Sequence, residues 1–228
     1  MKKMWCIAKK QNAEFVACME DVLEVYQREY DEDYPVVCMD EKPFQLLDER
    51  YEPIPMSATN SKMKYDCEYE RKGTCSIFMF TEPLAGWRYT EALPQRKKTD
   101  WANQMKRLLD DDYPNAKKVV LVMDNLNTHK ISSFYDTFSP EEAFRLSQRL
   151  EIHYTPKHGS WLNIAELELS ALSIQCLGKN RIPSISLLNE NLSAWHTRRN
   201  ISQKGVDWQF TAADARIKLK SLFPLVNF

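Results

Sequence analysis

Two aspartates each follow a short apolar run, at the position where a buried strand would end. Asp40 follows residues 36–39 (Val-Val-Cys-Met), and Asp124 follows residues 119–123 (Val-Val-Leu-Val-Met). Uninterrupted apolar runs of this length are typical of strands buried on both faces of a parallel sheet. Open α/β sheets hold their ligand sites at the carboxyl ends of such strands, so the pair predicts a shared site at one sheet edge. Either aspartate alone is equally consistent with a residue that turns the chain as it leaves the sheet.

A third acid is predicted on a helix that follows the last strand. Ser160 is the expected cap of this helix, and its apolar stripe consists of Leu162, Ala165, Leu169, Leu172 and Cys176. Glu166 and Glu168 fall on opposite flanks of the stripe at about 100° per residue, so only one of them can face the sheet edge. Periodicity leaves both choices open. Three carboxylates at one edge have the chemistry to hold two divalent ions about 3.5–4 Å apart, the arrangement that supports in-line displacement at phosphorus.

The remaining periodicities predict an α/β fold with one mixed sheet. Five strands are predicted, at residues 36–39, 74–81, 87–93, 119–123 and 151–154, the third from the alternation of its side chains. One tight hairpin and long crossovers make three of these strands antiparallel members and two parallel ones. Residues 41–73 are polar and rich in Lys, Glu and Tyr, and we expect them to form an irregular arm. Helix caps are expected at Asn12, Thr99, Ser139, Ser184 and Thr211.

The composition is that of one large domain or two small ones with a real core. Of the 228 residues, 43% are hydrophobic, and 31 basic against 32 acidic side chains leave a net charge of −1. This balance neither requires nor excludes a nucleic-acid partner. Six cysteines without C-x-x-C spacing are typical of free thiols in a reducing compartment. No segment has the apolar length of a signal peptide or a membrane span, so we expect a cytoplasmic protein.

Three sequence blocks resemble the signature motifs of insertion-sequence transposases in the Tc/mariner-like superfamily. They are Met-Asp-Glu-Lys-Pro at residues 39–43, Asp-Asn-Leu-Asn-Thr-His at 124–129, and Thr-Pro-Lys-His-Gly-Ser-Trp-Leu-Asn at 155–163, which Ala165 and Glu166 follow closely. The blocks occur in the family's order, and the resemblance covers nearly the whole chain. It implies an RNase H-like fold, a mixed five-stranded sheet with helices on both faces, and a triad of two aspartates and one further acid.

Carried over by motif, the triad is Asp40, Asp124 and Glu166, because the family's acid stands three residues after the asparagine of Trp-Leu-Asn. Glu168 is then a structural or solvent-facing acid. The resemblance implies that the triad binds two Mg²⁺ ions, for which Mn²⁺ would substitute. The matched blocks also imply a group of supporting or DNA-contacting residues, namely Asn127, His129, Lys157 and His158. For Lys157, a solvated loop position is an equally good interpretation.

The resemblance implies a transposase catalytic domain that cleaves and joins DNA strands at insertion-sequence ends, with a TA target. Its partners would be transposon-end and target DNA, and it would form a homodimer in a synaptic complex. The family usually begins with helix-turn-helix domains, but Asp40 comes too early to leave room for one. We expect either a separate chain that supplies this domain or a truncated copy. The chain is interpreted as one catalytic domain with a helical lead-in at 1–33, a core at 34–180 and a helical extension at 181–228.

Other functions make distinguishable predictions. An inactive remnant would bind DNA without metal-dependent nicking, and an RNase H-like nuclease or resolvase would cleave without joining strands. A sugar hydrolase using a carboxyl pair would need no divalent metal, but the three-block match argues against it. Zinc is not expected, because His129, His153 and His158 lack ligand spacing and an accompanying cysteine. His196 is expected at the surface, and Trp161 is expected to anchor the core.

Overall fold

The computed structural model describes residues 12–57, 61–125, 129–178 and 180–224. It contains one five-stranded sheet in the order β3-β2-β1-β4-β5. The strands are β1 (Val36–Glu49), β2 (Tyr69–Glu82), β3 (Trp87–Leu93), β4 (Val119–Met123) and β5 (Leu150–Tyr154). Strands β3, β2 and β1 pair in antiparallel fashion, while β4 is parallel to both β1 and β5. The predicted mixed sheet and its edge strand β5 are therefore confirmed.

Seven helices pack around the sheet in the described ranges. They are α1 (Ala13–Val25), α2 (Lys98–Arg107), α3 (Ser132–Tyr135), α4 (Pro140–Gln148), α5 (Ile164–Leu172), α6 (Ile185–Ser202) and α7 (Ala212–Lys218). π-Helical turns extend α2 over Leu108–Asp112 and α5 over Ser173–Leu177. None of the helices in the described ranges combines the length and apolarity needed to cross a membrane.

Strand β1 is much longer than the sequence predicted. It continues through Asp40 to Glu49 and pairs with β2 in a long antiparallel ribbon, so the irregular arm is confined to the segment between these strands. Residues 41–49 are mostly polar, and they are strand because β2 supplies a partner for their backbone. The prediction that β1 ends at Asp40 was wrong: Asp40 lies within the strand, opposite Met79.

The alternation of side chains along the strands separates two apolar layers. In β1 and β4, Cys38, Val120 and Val122 face a layer that includes α1, α5 and α6, whereas Met39 and Leu121 face a layer built on α2, α3 and α4. Successive strand residues point to opposite faces. The prediction of helices on both faces is confirmed, and α1 and α7, from the predicted lead-in and extension, contribute to the same core layer as α5.

Helix α5 is capped by Asn163 rather than by Ser160. The Asn163 side chain accepts a hydrogen bond from the Ala165 amide at 3.1 Å, and Ser160 instead begins a short 3₁₀ turn, Ser160–Leu162. Likewise the cap of α2 is Lys97, two residues before the predicted Thr99. The four other predicted caps are confirmed, at Asn12, Ser139, Ser184 and Thr211.

Helix α6 lies along the free edge of β3 and bonds its backbone through side chains. Asn189 both donates to and accepts from Ala92, at 3.1 and 2.7 Å, and Asn200 does the same with Arg88, at 2.8 Å in each direction. Between them, His196 Nδ1 lies 3.0 Å from the Thr90 hydroxyl and packs against the Tyr89 ring. His196 is therefore half-buried. Its predicted surface position was wrong because the side of α6 that carries it packs on the edge of β3.

Candidate active site

Asp40 and Asp124 lie on the same face of the sheet. The parallel register pairs Cys38 with Val122, so two residues further on Asp124 comes beside Asp40. Both follow the alternation that points toward α1 and α5. That these two aspartates belong to one catalytic site stays a prediction.

Glu166 projects from the first turn of α5 into the cleft that Asp40 lines. Burial disfavours the charged form of Asp40, and the nearby carboxylates of Asp124 and Glu166 repel it further. Against an opposing 2.7 Å hydrogen bond from the Glu41 amide, these effects raise the pKa of Asp40 to about 7. Three acidic side chains that are distant in sequence thus interact electrostatically at one rim of the sheet.

Glu168 lies on the other flank of α5, where it is buried and paired with two arginines. Its carboxylate is 5% exposed and accepts from Arg88 Nη2 at 2.8 Å and from Arg199 Nη2 at 3.0 and 3.1 Å. Arg88 is itself buried and also donates to the carbonyl oxygens of Gly86 and Lys204. The two acids that periodicity could not separate therefore differ clearly, and Glu168 is held in an ion-pair network between β3, α5 and α6.

Asn163 fixes the start of α5 against β1. Its side-chain amide donates to the carbonyl oxygen of Met39 at 2.9 Å, while its side-chain oxygen caps the helix. Because Met39 precedes Asp40 and Asn163 stands three residues before Glu166, this buried amide ties the start of α5 to the strand that bears Asp40. An Asn directly before an apolar helical stripe is itself a capping signal, and it marks Asn163 in the sequence.

His129 bridges the carboxylates of Asp124 and Glu41. Its Nδ1 lies 2.9 Å from Asp124 Oδ1 and its Nε2 lies 2.9 Å from Glu41 Oε1. Burial opposes the imidazolium, but the hydrogen bonds of the two carboxylates outweigh it and raise the pKa of His129 to about 9. His129 therefore contacts the carboxylate of Asp124, and its role as a supporting residue stays a prediction. The contribution of Glu41 was missed, although strand alternation places it on the face opposite Asp40.

Lys157 and His158 are exposed and line a second cleft together with Asp124, Asn125 and Ser160. His158 has a positive φ of 65°, which turns the backbone sharply just before Gly159. Asn127, the remaining predicted supporting residue, lies outside the described residues.

The donor chemistry of the triad fits a divalent cation. Hard carboxylate oxygens are the ligands that Mg²⁺ and Mn²⁺ prefer, and a cation would relieve the repulsion that burdens the buried Asp40. In the described part of the chain, however, no three His, Cys, Asp or Glu side chains are already grouped closely enough to hold a metal ion. The three acids therefore have suitable ligand oxygens, but their carboxylates would have to move closer together to bind an ion.

A family model described as a DDE superfamily endonuclease matches residues 35–189, which is more than half of the chain. The chain belongs to the DDE superfamily endonucleases. The match begins just before β1 and ends within α6, so it contains Asp40, Asp124 and Glu166. No curated protein shows significant similarity to the sequence.

Solved structures of the Mos1 transposase share the fold of this DDE endonuclease. A pre-cleavage Mos1 transpososome matches with a TM-score of 0.61 at 12% identity, over 100% of this chain and 68% of that one. The Mos1 paired-end complex with the left transposon end matches with a TM-score of 0.56 at 14% identity, over 90% of this chain and 63% of that one. The Mos1 strand transfer complex matches with a TM-score of 0.56 at 14% identity, over 90% of this chain and 62% of that one. The predicted RNase H-like fold is thereby confirmed, and the chain spans less than two thirds of the Mos1 chain in two of these complexes.

Proposed function

We propose that this chain is the catalytic portion of a transposase, which cleaves DNA at insertion-sequence ends and joins the freed end to a target. The observation that carries the proposal is that Asp40 and Glu166 line one cleft, with Asp124 close enough to repel the Asp40 carboxylate, in a DDE endonuclease. The Mos1 complexes, which include a strand transfer complex and complexes with Mn and Mg, support it by likeness of fold.

In the proposed reaction, Asp40, Asp124 and Glu166 would hold two Mg²⁺ ions, for which Mn²⁺ would substitute. When bound, such ions would activate the attacking oxygen and stabilise charge on the leaving oxygen. Water first attacks the scissile phosphorus and displaces the 3′ oxygen, which leaves a free 3′-OH on the element. That hydroxyl then attacks a phosphorus of the target, at a TA dinucleotide, and displaces a 3′ oxygen there. No covalent bond to the protein forms at either step.

The protein's own groups position these reactants. His129 contacts the carboxylate of Asp124 and would orient it. Asn163 ties α5, which carries Glu166, to the strand that bears Asp40. Lys157 and His158 line the cleft beside Asp124, where they would contact the phosphate backbone and so position the duplex without reading its sequence.

The partners belong to the same proposal. The DNA substrates are the element ends and the target, bound by a homodimer that brings two ends together in a synaptic complex. A separate helix-turn-helix chain would supply recognition of the ends. The reaction would take place in the cytoplasm, in keeping with the scattered cysteine thiols, none of which is paired in the described part of the chain.

A strand-cleavage assay with acid-to-amide variants tests the proposal. The Asp40→Asn, Asp124→Asn and Glu166→Gln variants should lose more than about 10²-fold in Mn²⁺-dependent cleavage, because bound metal supplies several kcal/mol of transition-state stabilisation. Asp111→Asn and Glu190→Gln, which change exposed acids away from the cleft, should retain full activity.

The products separate the rival functions. Cleavage followed by joining of the 3′ end to a second duplex is the expected result. Cleavage without joining would identify a nuclease, and DNA binding without cleavage would identify an inactive remnant. Full Mn²⁺-dependent cleavage by Asp124→Asn would overturn the proposal.

A further inference from the structure

Glu41 is a buried acid beside the site. Its side chain is 3% exposed and lies on the face of β1 opposite Asp40. One oxygen, Oε1, lies 2.9 Å from His129 Nε2. The other, Oε2, is buried and has no hydrogen-bond partner in the described structure, and the half-exposed guanidinium of Arg96 comes no closer to it than 3.7 Å. A buried carboxylate oxygen without a partner costs free energy, so packing alone does not account for an acid here.

The ring of His129 is held on three sides. Its side chain is 1% exposed, both nitrogens contact carboxylates, and its face stacks on the Trp101 indole at a centroid distance of 6.0 Å and an angle of 25°. Glu41 belongs to β1 and Asp124 follows β4, so the ring joins two neighbouring elements of the sheet. Without the Glu41 contact, the Nε2 end of the ring would lose its acceptor.

We propose that Glu41 is a positioning residue that holds Asp124 in orientation for metal binding, acting through His129. The inference rests on the proposed function, because it takes Asp124 as a metal ligand. Carboxylates that bind metal ions are held by hydrogen bonds from surrounding groups, and loss of such groups costs about 10–100-fold in metal affinity or activity. Glu41 does not contact Asp124 itself. It holds the His129 ring, and the ring in turn holds the Asp124 carboxylate.

Direct Mn²⁺ binding, measured by electron paramagnetic resonance on the protein without DNA, tests the inference independently of catalysis. Glu41→Leu fills a similar volume but removes the acceptor, and it should weaken Mn²⁺ binding by about 10-fold or more. Glu41→Gln keeps an oxygen acceptor and should bind Mn²⁺ within about threefold of the unaltered protein. Glu41→Asp, which shortens the side chain by one methylene, should give an intermediate affinity and serves if Glu41→Leu does not fold.

Glu82→Leu is a matched control. Glu82 is a buried carboxylate facing the same layer, bonded through one oxygen to the Tyr113 hydroxyl at 2.8 Å and unpartnered at the other. It lies four residues along β2 from Phe78, with which Glu41 pairs. Its replacement should leave Mn²⁺ binding unchanged, whatever it does to the midpoint of thermal unfolding.

A double variant separates action through His129 from a direct effect of Glu41. In a His129→Gln background, Glu41→Leu should weaken Mn²⁺ binding no further. If Glu41→Leu weakened Mn²⁺ binding in the His129→Gln protein as much as it does in the unaltered protein, the inference would be overturned. Unaltered Mn²⁺ binding by Glu41→Leu alone would also overturn it. Absence of measurable Mn²⁺ binding by the unaltered protein would overturn it together with the proposed metal site.

The cleavage assay distinguishes the two failures. If the unaltered protein cleaves DNA with Mn²⁺ and Asp124→Asn does not, while Glu41→Leu binds Mn²⁺ normally, the proposed function stands and the role of Glu41 falls. If Mn²⁺ binding responds to Glu41 as expected but no cleavage occurs, the positioning role stands and the proposed activity falls.

Discussion

At the scale of single residues, two glutamates on one helix have different environments. Glu166 projects into the open cleft beside Asp40, and Glu168, two residues later, is buried between Arg88 and Arg199. A buried ion pair contributes little net stability over an apolar replacement of the pair, but removal of one partner leaves an uncompensated buried charge. Loss of Glu168 and loss of Glu166 should therefore affect different properties of the protein.

Glu168→Leu should lower the free energy of unfolding by about 3–5 kcal/mol, because Arg88 would stay buried without a carboxylate. Glu166→Gln should leave the free energy of unfolding nearly unchanged, since it removes only a repelling charge. Urea denaturation of both variants measures the difference. The assignment of the two acids would be wrong if Glu166→Gln were the destabilised variant.

At the scale of elements, the site depends on how helices are anchored to strands. Asn163 ties α5 to β1, and Asn189 and Asn200 tie α6 to the outer edge of β3. An uncovered edge strand presents unpaired N–H and C=O groups on which other chains can pair. Helix α6 therefore closes one side of the sheet, and its Arg199 also reaches the Glu168 network.

Asn189→Ala and Asn200→Ala should each destabilise the protein by about 1–3 kcal/mol, because each leaves a backbone amide and a carbonyl of β3 without partners. The double variant should also aggregate on mild heating, as the edge of β3 becomes available. Thermal unfolding with light scattering measures both effects. Asn191→Ala, on a part of α6 that lies beside Arg181 and Leu187, is the control and should behave as the unaltered protein.

At the scale of the whole molecule, two helical layers are packed on one sheet, and charged networks join elements within each layer. On the layer of α2 and α4, Glu142 bonds Lys106 and Arg145, and Arg145 also bonds Asp110 at 2.8 and 2.9 Å. The hydrogen bonds of Arg145 and Lys106 lower the pKa of Glu142 from its ordinary value of 4.5 to about 2. This network links two helices that the chain separates by two other elements, β4 and α3.

The lowered pKa of Glu142 makes its contribution to stability depend on pH. A carboxylate whose pKa is lower in the folded state stabilises the fold above its ordinary pKa, and the contribution is lost as the pH falls through the folded value. Unaltered protein should therefore be more stable than Glu142→Gln at pH 7. The difference should shrink between about pH 5 and pH 2, as followed by urea denaturation at several pH values. A difference that stayed constant over this range would contradict the assignment.

Much of the fold followed from local sequence patterns. The apolar run of β4, the alternation in β3 and the caps Asn12, Ser139, Ser184 and Thr211 predicted their elements, because each signal lies within the element or directly before it. The two aspartates were predicted to meet because parallel strands align their carboxyl ends.

The tertiary structure alone decided the features that depend on a partner distant in sequence. Strand β1 runs through Asp40 because β2 pairs with its polar half, and Glu166 faces the cleft because Arg88 and Arg199 hold Glu168 on the other flank of α5. Similarly, Glu41 contacts Asp124 only through a histidine 88 residues away. Periodicity records which residues share a face of one element, but the free energy that chooses between two faces comes from contacts with another element.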